Sequence, residues 1–251
     1  MKNKIIYFAL VIGLFLPQAC QDELSAVKNT NSPTAIAFNT EKGILQLATG
    51  GVFINGFGGT YTSINDGLGT GFQILVYGMH DSMGDLFYVP WGNNNFKYID
   101  NPQDWKMDDN SIVTNPIGNG QIAETRLRND RAYGATNGML VEWTYMYVMN
   151  NTMNVLLDYV GKTAFSGDAD SKKNTLRAWA KFWKGYAYSR IGSMYIAGLI
   201  NDKPNETSGQ FVTNTAIIAE ATKNFDEAIT LLNGISSEPD YSAVLAQVIP
   251  G

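Results

Sequence analysis

Between Asp130 and Leu232, apolar side chains recur at steps of three and four residues, and this period limits the fold more than any other feature. A strand needs a period of two, so helices must carry this half of the chain. From Ser171, a good capping residue, to about Ala197 the stripe is Leu176, Trp179, Phe182, Trp183, Tyr186, Ala187, Ile191, Met194 and Tyr195. Before it, Arg131 to Tyr159 places Leu140, Trp143, Tyr147, Asn150, Asn154 and Leu157 on one broad face. After it, Asn214 to Leu232 carries Ile217, Ala221, Phe225, Ala228 and Leu232. Upstream, Asn39 or Thr40 can cap a helix over about Glu41 to Phe53, with Ile44, Leu47, Ala48 and Val52 apolar. The fold class these patterns predict is all-α.

Two fragments narrow the arrangement. Gly185-x-x-Tyr188 fits the first helix of a tetratricopeptide unit, and Ala221-x-x-x-Phe225-x-x-Ala228 fits the second. Small residues let the helices approach, and rings fill the gaps beside them. The connection at about 200–213 is longer than a regular repeat allows, so the expectation is a tetratricopeptide-like array with one loop-interrupted repeat. Generic antiparallel helices fit the same residues. Gly234, Pro239 and Pro250 read as punctuation of a tail. Residues 54–71 are glycine-rich and read as loop, or as a helix interrupted by loop, and Phe72 to His80 is ambiguous between strand and helix. Residues 81–125 form a long irregular, loop-rich insertion with Tyr88, Trp91, Tyr98, Trp105 and the run Asn93 to Asn95. Segments of this length without periodicity are often functional.

The first twenty residues bear on location. Lys2 and Lys4 precede an apolar run from Ile5 to Leu16, then Pro17, Gln18, Ala19 and Cys20. This is the layout of a secretory signal peptide over 1–19. The run is shorter than the roughly 20 residues that span a bilayer. Cys20 is the only cysteine, so no internal disulfide can form. Its place after the run is that of a lipidated first residue. Leu16 and Ala19 fit the lipobox, whereas Pro17 and Gln18 depart from its strict form. Several acyl chains on Cys20 would anchor the chain stably to a membrane. Residues 20–39 have the weakly apolar, turn-rich composition of a flexible tether, and the folded domain is expected over 40–251. Removing Lys2 and Lys4 from 18 basic residues leaves 16 against 23 acids, a net charge of −7. Such a chain repels phosphate backbones, which disfavours nucleic acid as a partner.

Aromatics make up 12% of the chain, and rings beside amides are what a polyol needs. Trp91 or Tyr88 can stack on a sugar face, and Asn93, Asn94 or Asp81 can bond to hydroxyls. Catalytic patterns are thin. Gly161-Lys162-Thr163 ends like a phosphate loop, but position 156 is Leu where the loop needs Gly. His80 is the only histidine, and no Gly-x-Ser-x-Gly elbow accompanies it. A hydrogen-bonded structural role suits it better than a metal. Asp168 and Asp170 open like a calcium loop that no Glu closes, and read as helix-start acids. Asp81 and Asp85 lie four apart, the spacing a glycosidase acid–base pair would use on a helix. No catalytic residue, metal or cofactor is assigned, and an enzyme is not expected.

Several segments, in order, resemble the SusD/RagB family of outer-membrane nutrient-binding lipoproteins. They are the signal ending at Cys20, the helix after the tether, and His80-Asp81-Ser82-Met83-Gly84-Asp85 before the ring- and Asn-rich stretch. Trp143-Thr144-Tyr145-Met146-Tyr147-Val148-Met149-Asn150-Asn151 is similar to the family's Trp–Tyr–Asn helix. Arg177-Ala178-Trp179 through Tyr188 is similar to its Arg-Ala-aromatic helix, and Asp226 to Ile229 to the one after. Met194 to Gly198 departs from the usual Gly–Pro turn, and family members are much longer, so the chain resembles an N-terminal portion. The resemblance implies a lipid-anchored protein exposed on the cell surface at the outer membrane. It implies delivery of an oligosaccharide or other nutrient to a TonB-dependent, SusC-like transporter, with no chemistry performed. A secreted glycoside hydrolase and a scaffold lipoprotein binding only protein are the alternatives.

Overall fold

Helix α1 is Glu41–Phe53, α2 Gly78–Met83, α3 Gly138–Val160, α4 Ala169–Met194, α5 Asn214–Asn233 and α6 Glu238–Val248. Strands β1 (Asp104–Lys106) and β2 (Ile112–Thr114) form one antiparallel pair, and β3 (Ala197–Leu199) and β4 (Phe211–Thr213) another. The computed structural model describes residues 38–54, 76, 78–84, 104–114, 126–127, 129–130, 132 and 137–250. The class is all-α with two short hairpin sheets, and no helix among the described residues is long and apolar enough to cross a membrane.

Side-chain caps set the helix starts, because the first backbone N–H groups have no partner inside the helix. Thr40 accepts from the Gly43 amide at 3.1 Å, the cap expected for α1. Asn137 accepts from the Leu140 amide at 3.1 Å, so α3 starts at Gly138 and not at Arg131. For α4 the cap is Asp168, which accepts from the Asp170 and Ser171 amides, rather than Ser171. The Ser171 hydroxyl instead donates to Asp168 at 3.0 Å and accepts from the Ser236 and Ser237 amides. It thereby ties the start of α6 to the start of α4. Helix α6 itself occupies what reads as a punctuated tail. Ser237 caps it, and Pro239 sits in the first turn, where its missing N–H costs nothing.

The long helices pack around one apolar core. Contacts Glu142–Arg190 and Asn154–Lys184 show α3 and α4 to be antiparallel. Lys181–Glu227 and the approach of Gly192 to Ile218 show the same for α4 and α5. Helix α1 lies across both α3 and α4. Trp179 Nε1 donates to the Ala48 carbonyl at 3.1 Å, and Gly51 sits where an added Cβ would lie 2.5 Å from Thr152 Cγ2. Ile44, Val52, Met146, Met149, Met153, Leu156, Leu176, Ala187, Ile191 and Ile217 have no solvent exposure. The buried face of α3 therefore shares only Asn150 and Asn154 with the predicted one. Val141, Tyr145, Met146, Met149, Met153, Leu156 and Val160 fill the core, while Leu140, Trp143, Tyr147 and Leu157 are half-buried. The reason is that α3 is covered from two sides, which leaves a buried arc wider than a single amphipathic stripe.

Phe38, at the end of the stretch read as tether, sets its ring edge-on to Tyr159 at 5.5 Å, and Thr163 donates to its carbonyl at 3.1 Å. Within the insertion, β1 and β2 pair Trp105 with Val113 around a turn in which Asn110 adopts φ 66°. Asp109 accepts from the Ser111 amide at 2.8 Å, an Asx turn that closes the hairpin. The connector at 200–213 is bounded by β3 and β4, which pair Gly198 with Val212.

Candidate functional site

Of the residues assigned to ligand or lipid, Asp81 alone is described. Cys20, Tyr88, Trp91, Asn93 and Asn94 lie outside the described residues, as do Asp85 and the 1–19 signal. Asp81 stands half-buried on α2, and α2 is held in place by an ion cluster. Glu142 of α3 is wholly buried. Its Oε1 accepts from Arg190 Nε at 2.7 Å and Nη2 at 2.6 Å. Its Oε2 faces His80 Nε2 at 3.0 Å, which fits an Nε2–H donor. Arg190 Nη2 also lies 3.1 Å from that nitrogen. His80 therefore has the structural, hydrogen-bonded role expected of it. It fastens the segment that leads toward Tyr88 and Trp91 onto the α3–α4 pair. Glu142 and Arg190 were not foreseen. The signal was a lone acid inside the apolar run Met139 to Met146, which a surface position would not need.

A second polar assembly holds the connector. Tyr147, Asn150, Asn151 and Asn154 form one stripe on α3. The Tyr147 hydroxyl donates to the Leu199 carbonyl at 3.0 Å and accepts from the Leu199 amide at 2.6 Å. Tyr188 makes the same pair of bonds with Asn201, at 3.0 and 2.9 Å. Asn150 and Asn154 donate to the Asn201 carbonyl, and Asn151 exchanges two bonds with Asn205. Beneath them Lys184, 2% exposed, donates to Asn154 Oδ1 at 2.5 Å and reaches Asp202 at 3.4 Å. Burial holds the Lys184 ammonium below the usual lysine range, against the pull of Asp202. Burial likewise raises the Tyr188 and Tyr195 hydroxyls.

These shifts have opposite signs in stability. The folded state binds fewer protons at Lys184 than the unfolded state, so stability rises with pH below about 10.4. The tyrosines ionise first in the unfolded chain, so stability falls above about pH 10. The thermal midpoint is expected to climb with pH toward about 10. Calorimetry of Lys184→Met across that range should show the climb abolished.

The starts of α1, α4 and α6 meet in a third polar cluster. Lys172 Nζ lies 2.6 Å from Glu41 Oε1 and 3.7 Å from Asp240 Oδ1. Burial raises the Glu41 carboxyl, but hydrogen bonds from Lys172 and Ser166 outweigh it and the net shift is downward. Asp168 is lowered by the Ser171 amide and hydroxyl, and Asp240 by the Ser237 hydroxyl and the Asp168 amide. Depressed carboxylates stabilise above their unfolded values and lose that contribution as pH falls through the folded ones. A pH titration of the thermal midpoint should therefore drop below about pH 4, and less steeply in Asp240→Asn.

The concavities among the described residues include a groove and a cup. An apolar groove of about 330 Å³ runs between α4, α5 and α6, over Trp179, Phe182, Phe225, Ile229, Leu232 and Leu245. A cup of about 240 Å³ at the start of α3 is lined by Asn129, Asn137, Met139, Leu140, Trp143 and Tyr195. No group of three or more His, Cys, Asp or Glu able to hold a metal occurs among the described residues. No family model, curated protein or solved structure matches the chain.

Proposed function

We propose that the chain is a nutrient-binding lipoprotein of the SusD/RagB type, anchored to the outer membrane through Cys20 and exposed on the cell surface. It captures an oligosaccharide and passes it, unaltered, to a TonB-dependent, SusC-like transporter. The observation that carries this reading is the bracing of α2. A fully buried Glu142, with Arg190 and His80, fixes the Asp81-bearing helix to the α3–α4 pair. In sequence, α2 is followed by Tyr88, Trp91, Asn93 and Asn94, the candidate ring and amide contacts.

The signal layout of 1–20 and the net charge of −7 without the leader agree with a secreted, non-nucleic-acid-binding protein. A tetratricopeptide-like pairing of α4 with α5 is supported by Gly185, whose α-carbon lies so near Phe225 that an added Cβ would stand 2.8 Å from the ring. In this reading the helical array faces the transporter and the insertion faces the sugar.

The test has two parts. Mass spectrometry of the N-terminal peptide from a bacterial host should show Cys20 carrying a diacylglyceryl group, lost in Cys20→Ser. Calorimetry against oligosaccharides selected on a glycan array should show Trp91→Ala weakening binding about tenfold, the value of one lost ring contact, with an unchanged melting midpoint. An unmodified Cys20, or an array on which nothing binds, defeats the proposal.

A further inference from the structure

Where α4 and α5 meet α6, small side chains are ringed by large ones. Ala178 of α4 and Ala228 of α5 are buried, and so is Thr175, whose hydroxyl turns back to the Ser171 carbonyl at 2.7 Å. Around them stand Trp179, Phe182, Phe225, Ile229, Leu232 and Leu245. A small floor and large walls leave the apolar groove of about 330 Å³, within the roughly 300–1,000 Å³ of ligand pockets. Phe182, Ile229 and Leu232 remain 46%, 56% and 42% exposed, which is apolar surface that an occupant would cover. The walls are already fixed. Trp179 Nε1 donates to the Ala48 carbonyl, and the Phe225 ring is held between Phe182, at 5.7 Å, and Gly185. Side chains held in this way lose little freedom when a ligand binds.

One end of the groove is charged. Leu232 and Tyr241 also line a second section of about 350 Å³, which adds Ile235, Ser236 and Glu238. Ser236 donates to Asp168 at 3.0 Å, so this section adjoins the polar cluster at the starts of α1, α4 and α6. Four carboxylates, Glu41, Asp168, Glu238 and Asp240, gather there with one ammonium, Lys172, a balance of −3. Asp170 and Lys173, next on α4, cancel each other. Three helix starts offset the balance by roughly +0.5 each, which leaves about −1.5. The net charge of −7 without the leader gives the wider field the same sign. A ring-lined trough with a negative end is complementary to a molecule with an apolar body and one cationic end.

We infer that the α4–α5–α6 groove binds a small lipophilic amine, its apolar body lying on Trp179, Phe182 and Phe225 and its protonated amino group meeting Glu238. Tyr241 lines both sections, and its ring can take the ammonium over its face. This site goes beyond the oligosaccharide reading and does not depend on it.

The experiment titrates the full chain without its leader with octylamine, 1-octanol and octanoate at pH 7. The three probes share one tail and carry cationic, neutral and anionic heads. Binding is read by NMR at the ¹⁵N-labelled indole of Trp179, assigned by the loss of its signal in Trp179→Phe. Octylamine should shift that signal saturably and bind about threefold tighter than 1-octanol, the worth of one exposed ion pair, with octanoate weakest. Glu238→Gln should erase the amine's advantage over the alcohol. Ile229→Ser, at an exposed edge, should weaken both, and neither substitution should move the melting midpoint. A Trp179 signal that ignores octylamine overturns the inference. So does octanoate binding as tightly as the amine, or an amine preference that survives Glu238→Gln. Sedimentation of the wild-type chain tests the other occupant: a dimer that Ile229→Ser returns to monomer would give the groove to a second copy and overturn the amine site.

Discussion

Replacing Glu142 by alanine should destabilise the fold by about 3 kcal/mol, the largest single effect expected outside the apolar core. The carboxylate is fully buried and, among the described residues, is the acid that pairs with Arg190. Its removal strands a guanidinium beside the His80 ring at 3.1 Å. Breaking one partner of a buried pair costs roughly 3–5 kcal/mol, and the partial exposure of Arg190, 26% of its side chain, puts this case at the low end. For a domain of this size the midpoint should fall by about 6–12 °C. Glu142→Gln keeps the volume and one acceptor for Arg190, so its cost should be smaller. A midpoint shift under about 2 °C for Glu142→Ala would mean that the cluster contributes little to stability.

Gly185→Val is expected to cost about 2–3 kcal/mol, by overpacking rather than by loss of contact. A Cβ on Gly185 meets three atoms of the Phe225 ring at 2.8–3.0 Å, closer than real side chains approach. Valine adds two more carbons at the same place and is stiff at χ1 in a helix. Helices α4 and α5 would have to separate, or the ring would have to leave its rotamer. The partner substitution makes the test specific. Phe225→Ala opens the space that valine needs, so the double variant should be more stable than the sum of the single costs by at least about 1 kcal/mol. Chemical denaturation of the four proteins measures this coupling. Additive costs would show that Gly185 is conserving something other than the α4–α5 approach.

Much of the helical architecture was legible because its causes are local. Thr40 before Glu41, Thr213 before Asn214 and Pro239 after Ser237 are capping chemistry that acts over three or four residues. For the first the sequence offers Thr40 or Asn39, and for the second it offers the span Asn214 to Leu232 without a cap. The third was passed over because Pro239, followed only by a short apolar pattern, looked like an interruption. The α4 cap was misplaced by three residues for a related reason. Asp168 and Ser171 are both good caps, and the choice between them depends on Ser171 being engaged by the Ser236 and Ser237 amides from α6. No local window contains that fact.

The site shows the same division. That His80 would be a hydrogen-bonded structural residue followed from its isolation in the sequence, but its partners are 62 and 110 residues away. Periodicity marks Glu142 only as a polar interruption of an apolar face. It does not say that a guanidinium from the next helix and an imidazole from α2 converge on it. Tyr147, Asn150 and Asn154 are likewise visible as a spacing on α3, whereas Asn151 is not part of it. It acquires a purpose only from the connector whose carbonyls and amides it satisfies.

The sequence by itself determined the helical class and the spans of α1 and α5, because these follow from period and spacing within a few residues. Only the tertiary structure decided which face of α3 is buried, that Lys184 and Glu142 are interior, and that Trp143, Met139 and Asn129 share one cup. Burial and electrostatic partnership arise between elements that are distant along the chain, and no period in one helix encodes the position of the next.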